Sequence, residues 1–228
     1  MSTSPRQTLF AAFASVARAL GHPHRLEILE LVAQGERPVE TLAARTGLSV
    51  ANTSQHLQQL RRAGVVTARR DGKFVFYRLA DDKVLELLGA LRETAERNVA
   101  EVDRVVRGYF TERDSMEPVS RAELLAKMRE GLVTVLDVRP ADEFAAGHVA
   151  GAINIPLGEL ETRLSELDPG MEIVAYCRGA YCVLSFEAVA ALRRLGFSVR
   201  RLEDGYPEWR VAGLAVRAPA TAWRREAE

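Results

Sequence analysis

The chain has 228 residues, 47% hydrophobic and 27% charged, with 31 basic side chains balanced by 31 acidic ones. That length suits two domains of about 110 residues, each large enough to bury its own core. Two cysteines are too few for a disulfide framework, and no apolar run approaches the ~18–20 residues of a membrane span, so the expected location is the cytoplasm.

The zero net charge hides an asymmetry. Residues 1–110 carry 16 Lys and Arg against 12 Asp and Glu, whereas residues 111–228 carry 15 against 19. A basic half joined to an acidic half points to a polyanion partner for the first half alone.

Near the start, "TLFAAFASVARAL" is short, interrupted by Arg18 and spaced like a helix face, so it reads as a core helix rather than a targeting segment. "GHPHRLEILELVAQG" continues the helical pattern. Pro38 opens "PVETLAARTG", and Ser49 caps "VANTSQHLQQLRRAG". Two short helices separated by "TGLS" are a helix-turn-helix signal, whose second helix enters the major groove. On that helix Thr53, Leu57 and Leu60 share the inward face. Asn52, Gln55 and Gln59 point outward, with Ser54 and His56 on the flanks, as groups able to read base edges or bind phosphate.

"VVTARRDGKFVFYRLA" follows, two alternating runs around Asp71-Gly72, the composition of a tight hairpin turn. From Arg61 through Arg78 there are six basic residues against one acid, with Arg69, Arg70 and Lys73 at the hairpin tip. A basic hairpin directly after a recognition helix is a wing suited to phosphate contact. "DDKVLELLGALRETAERNVAEVDRVVRGYF" then carries a heptad-like seam, Val84, Leu88, Leu91, Ala95, Asn98, Val102, Val105 and Tyr109. A single helix over 81–110 would run roughly 45 Å. The pattern predicts a homodimerisation helix, with Asn98 as a register residue; the plainer reading is a linker helix packed on its own domain.

Residues about 7–110 thus resemble the ArsR/SmtB family of winged-helix repressors, through "LGHPHRLEILELVAQGERPVETLAARTGLSVANTSQHLQQLRRAGVVTARRDGKFVFYRL". The resemblance implies a homodimer that occupies double-stranded operator DNA and leaves it when an inducer binds. The metal-sensing patterns of that family are missing. "ERPVETLA" has no cysteine, residues 80–110 have neither Cys nor His, and His22 and His24 are too few for a site without other ligands. No metal and no cofactor is expected.

"TERDSMEPVS" reads as a linker over 111–119. Beyond it Ser120 and Glu123 form a predicted capping box for "RAELLAKMREG". "VTVLDVRP", "MEIVAYC" and "SVRRLEDG" are strands, and "ADEFAAGHVAGAINIP", "VLSFEAVAALRRLGF" and "YPEWRVAG" contain helices. Strands alternating with helices predict an α/β domain with a parallel sheet over 120–228. In such sheets function sits at the carboxyl ends of the strands. Cys177 stands there, and the loop to Val183 contains Gly179 and runs into a helix whose first amides lack partners. Such a nest stabilises a thiolate, a persulfide or an oxyanion. Arg178 is either positive charge at its rim or a solvated surface arginine. Cys182 reads equally as a second reactive thiol or as a small buried residue.

Residues about 117–217 resemble a single-domain rhodanese, through "LDVRPADEFAAGHVAGAINIPLGEL", "IVAYCRGAYC" and "LEDGYPEWRVAGLAV". The resemblance makes Cys177 the sulfur-accepting nucleophile and the backbone of Arg178, Gly179, Ala180, Tyr181, Cys182 and Val183 its cradle. It gives Asp137, Arg139 and Glu143 a supporting role, and leaves His148 structural. Related phosphatases and arsenate reductases place an arginine where this chain has Val183, which disfavours that chemistry. The expectation is therefore a transcriptional repressor, with a winged helix over 1–110 and a rhodanese-like domain that senses reactive sulfur or redox state. Its sulfur donor would be thiosulfate or a persulfide, and Cys182 would be the resolving thiol. The alternative is a sulfurtransferase enzyme whose winged helix mainly localises or dimerises it.

Overall fold

The computed structural model of the protein describes residues 4–111 and 117–218. The chain divides into two compact units between Leu88 and Gly89, inside the segment expected to form one helix over 81–110. Most of the expected linker, residues 112–116, lies outside the described residues.

The first unit is mainly α-helical. It runs α1 (Pro5–Leu20), α2 (Pro23–Ala33), β1 (Arg37–Pro38), α3 (Val39–Thr46), α4 (Val50–Arg62), β2 (Val66–Asp71) and β3 (Phe74–Leu79), ending in the first turns of α5 (Lys83–Asn98). Ser49 caps α4, its hydroxyl accepting the Asn52 N–H at 3.2 Å. Ile28, Leu29, Leu42, Leu57 and Leu60 are fully buried where α2, α3 and α4 meet. β2 and β3 pair antiparallel around Asp71↔Phe74, and Gly72 supplies the positive φ of 59° that the turn requires. β1 adds a third strand beside β3, a pairing too short to leave a sequence signal.

The expected single helix over 81–110 is broken. α5 ends at Asn98, and Val99 is extended (φ −112°, ψ 104°) before α6 (Ala100–Val105) and a π-helical turn (Val106–Thr111). The Asn98 amide turns back onto the Thr94 carbonyl at 2.8 Å, and a β-branched residue follows, two local features that favour leaving the helix. The seam from Val84 to Tyr109 is therefore not one continuous stripe.

The second unit holds α7 (Arg121–Glu130), β4 (Val133–Asp137), α8 (Ala141–Ala146), β5 (His148–Val149), β6 (Ile153–Asn154), β7 (Glu172–Tyr176), α9 (Val183–Arg194), β8 (Val199–Arg201), α10 (Tyr206–Val211) and β9 (Val216–Arg217). Four parallel strands lie in the order β6-β4-β7-β8. Val119 is fully buried and bridges Leu202, so this unit's core takes in residues before α7. Ser120 caps α7 by accepting the Glu123 N–H, but the predicted reciprocal bond is replaced. Glu123 turns to Arg200 at 2.6 Å and Lys127 at 3.2 Å.

Candidate functional site

β4 and β7 are parallel neighbours in register, so Asp137 and Tyr176 end their strands side by side. Cys177 follows immediately, at the carboxyl edge of the sheet. It is buried, and its sulfur is joined to that of Cys182 with the Cα atoms 6.1 Å apart. Cys182 is the N-cap residue of α9, so both sulfurs lie where that helix presents its unpaired amides. The Cys182 amide itself donates to the Gly179 carbonyl at 3.2 Å. The amides of Gly179, Ala180, Tyr181 and Val183 have no backbone acceptor among the described residues.

The loop is held from several sides. The Tyr206 N–H donates to the Cys177 carbonyl at 3.1 Å, and Arg201 reaches the Ala180 carbonyl at 3.3 Å. Gly205 lies so close that a Cβ there would meet the Arg178 carbonyl carbon and the Gly179 nitrogen at 2.3 Å. Arg178 is not a free rim charge, because its guanidinium chelates the buried Glu143 carboxylate at 2.7 and 3.0 Å.

Asp137 and Arg139 form a fully buried, bidentate ion pair beneath the site, with a 2.6 Å contact. Arg139 also donates to the Gly147 carbonyl at 2.8 Å, and Tyr176 donates its hydroxyl to Asp137 at 2.5 Å. Burial works to lower the Arg139 pKa, but hydrogen bonding to Asp137 overcomes it and the net shift is upward. Burial, reinforced by the Asp137 charge, pushes the Tyr176 phenol well above its ordinary value. Asp137, Arg139 and Glu143 thus tie the end of β4 to Tyr176, to the Gly147 carbonyl and to Arg178 of the loop. His148 stacks on Phe144 at 3.6 Å and binds that residue's carbonyl, a structural placement. Sequence reasoning missed Gly205 and Arg201. The only signal was "LEDGYPEW", whose glycine before an aromatic-proline pair marks a close backbone approach.

In the first unit, Thr53, Leu57 and Leu60 face inward as expected, while Asn52, Gln55 and Gln59 are exposed. Ser54 and His56 are half-buried, and the Ser49 hydroxyl is engaged as a cap. The Gln59 carbonyl accepts a 2.5 Å bond from Arg25, whose guanidinium also ties to the Ala19 and Arg18 carbonyls. The wing tip is likewise divided. Arg69 is bound by Asp71 at 2.9 Å and Glu36 at 2.7 Å, which in that order raise its pKa, whereas Arg70 and Lys73 are exposed. His56 lies against His22 with ring centroids 4.6 Å apart, and the buried Nδ1 of each has no hydrogen-bond partner among the described residues. Among the described residues no group of three side chains is arranged to hold a metal ion. No helix among them is long and apolar enough to cross a membrane.

Comparison with known families agrees with both halves. Residues 22–68 match the bacterial regulatory protein arsR family, and residues 120–212 match the rhodanese-like domain. The chain is 44% identical over 211 residues to the HTH-type transcriptional regulator Rv0324 of Mycobacterium tuberculosis, covering 92% of each chain. Among solved structures, the homodimeric winged helix-turn-helix DNA-binding domain of Mb0332 from Mycobacterium bovis is 36% identical. That match covers 43% of this chain and 92% of the other, with a TM-score of 0.40. A rhodanese-related protein from Thermoplasma volcanium is 30% identical, over 45% of this chain and 98% of the other, with a TM-score of 0.40. With a relative of that identity matched along nearly its whole length, the chain belongs to the ArsR-family transcriptional regulators that carry a rhodanese-like domain.

Proposed function

We propose that the protein is a repressor whose rhodanese-like unit accepts sulfane sulfur on Cys177 and reports reactive sulfur to the DNA-binding unit. The observation that carries this reading is the meeting of Cys177 and Cys182 in one loop at the carboxyl edge of the sheet, at the amino end of α9. In the open form the Cys177 thiolate attacks the outer sulfur of thiosulfate. A new S–S bond forms, the thiosulfate S–S bond breaks, and sulfite leaves with the electron pair. The Cys182 thiolate then attacks the Cys177 sulfur of the persulfide, and hydrosulfide leaves as the bridge closes. No external oxidant is needed. A thiol reductant restores the open form.

DNA binding as a homodimer is part of the proposal. It is supported by the exposed apolar side chains Leu9, Phe10 and Phe13 on α1 and Leu87 and Leu91 on α5. Two-fold pairing is also what such modules need to read an operator with two half-sites. Recognition is assigned to Asn52, Gln55 and Gln59, with Ser49, Ser54 and His56 at the flanks, and phosphate contact to Arg70 and Lys73.

The test is thiocyanate formation from thiosulfate and cyanide by the wild-type protein and by Cys177→Ser. Activity confined to the wild type is expected; a Cys177→Ser protein that still transfers sulfur overturns the assignment. High turnover with no sequence-specific DNA binding selects the sulfurtransferase reading instead.

A further inference from the structure

The loop between the two cysteines touches more than its own sheet. Tyr181, half-buried in that loop, has the Glu96 carboxylate on α5 as its neighbour: burial first, then hydrogen bonding to Glu96 and its charge, push the phenol's pKa upward. Its ring packs on Phe110 at 5.2 Å, and Phe110 in turn packs on Phe186 of α9 at 4.8 Å. One turn back along α5, Arg92 reaches Glu208 of α10 at 3.5 Å and Glu96 at 3.5 Å. Glu208 accepts the Gly205 N–H at 3.1 Å, and Gly205 lies against the Arg178–Gly179 backbone. All these residues lie within the second unit. α5 therefore meets the Cys177–Cys182 loop directly at Tyr181, beside Glu96, and indirectly through Arg92 on Glu208, which holds Gly205 against the loop backbone.

α5 is one unbroken helix from Lys83 to Asn98. Its first turns place Val84 in the core of the first unit and pack the partly buried Leu85 and Leu88 against it. Residues 84–88 and 92–96 are therefore turns of one continuous helix.

We propose that Tyr181 is the positioning residue through which the chemical state of the Cys177–Cys182 loop is read by α5, by way of Glu96 and Phe110. With the bridge closed, Cys182 is tied back to the end of β7, and Tyr181, its neighbour, is held against Glu96. Opening the bridge frees the loop's second end, and α5 loses one of its two points of hold. The inference rests on the sulfur-accepting reading above, and deepens it by naming where the signal leaves the site.

The test compares bridged and thiol-reduced full-length protein by amide hydrogen exchange across α5, with the 2 Da mass difference read on the same samples. The wild type is expected to exchange at least about fivefold faster over residues 84–98 when reduced. In Tyr181→Phe, which keeps the ring and removes the hydroxyl, that difference shrinks while the mass change persists. Glu96→Gln is the independent second variant and should behave alike. A bridge that opens by mass in the wild type with no change in α5 exchange overturns the coupling and leaves the sulfur chemistry standing. A full difference retained in both variants also overturns it. Absence of any bridge under oxidation overturns the Cys182 resolving step and this coupling with it, and the mass identifies that outcome; sulfur acceptance by Cys177 is judged separately by thiocyanate formation.

Discussion

Gly205 carries the most direct consequence at the level of single residues. Its missing Cβ lets the segment before α10 press on the Cys177 loop, where a methyl group would lie 2.3 Å from backbone atoms that have no flexible end to yield. Gly205→Ala is expected to displace the loop and slow Cys177 persulfide formation at least about tenfold, because misplacing reacting groups by even an ångström is costly. The rate of mass gain on thiosulfate exposure measures it. An unchanged rate would remove Gly205 from the site. The rhodanese resemblance singled out Cys177, Asp137, Arg139 and Glu143, each within a quoted motif, and the fold gathers them at the carboxyl ends of β4 and β7. Arg178–Glu143 and Tyr181–Glu96 were not legible in the sequence, because each joins residues distant along the chain, and side-chain partners at that separation leave no local pattern.

Among the elements, the wing and α4 divide into engaged and available groups. Arg69 is already bound by Glu36 and Asp71, so Arg70→Ala and Lys73→Ala should each weaken binding to any duplex and reduce the salt slope by about one. Arg69→Ala should change the salt slope less. Salt titrations of duplex binding check this, and a larger loss for Arg69→Ala would reverse the assignment. His56 gives a pH dependence. Burial, followed by the neighbouring His22, Arg25 and His24 charges, lowers its pKa in the folded chain from 6.5. The unfolded chain then binds the proton more readily, so the stability of the first unit is complete above pH 6.5 and declines as pH falls towards the lowered folded value. His56→Gln should flatten that slope in urea unfolding between neutral and mildly acidic pH. The winged-helix elements were legible from caps, periodicity and the Asp71-Gly72 turn. The break at Val99 was not, because the heptad-like seam runs straight through it while a local side-chain bond from Asn98 ends the helix.

Across the whole molecule, the basic and acidic halves seen in composition correspond to an ArsR-type winged helix-turn-helix and a rhodanese-like domain on one chain. The division between the compact units inside α5 was hidden from sequence, since apolar spacing does not say which core a given turn joins. Both cysteines of the chain, Cys177 and Cys182, lie in the loop of the second unit. The most direct test selects a duplex on the reduced full-length protein and titrates it with reduced, persulfidated and bridged samples, each state assigned by intact mass. Affinity should fall at least about tenfold in one of the two oxidised states. Equal affinity in all three states would contradict a regulator that is switched by sulfur at Cys177.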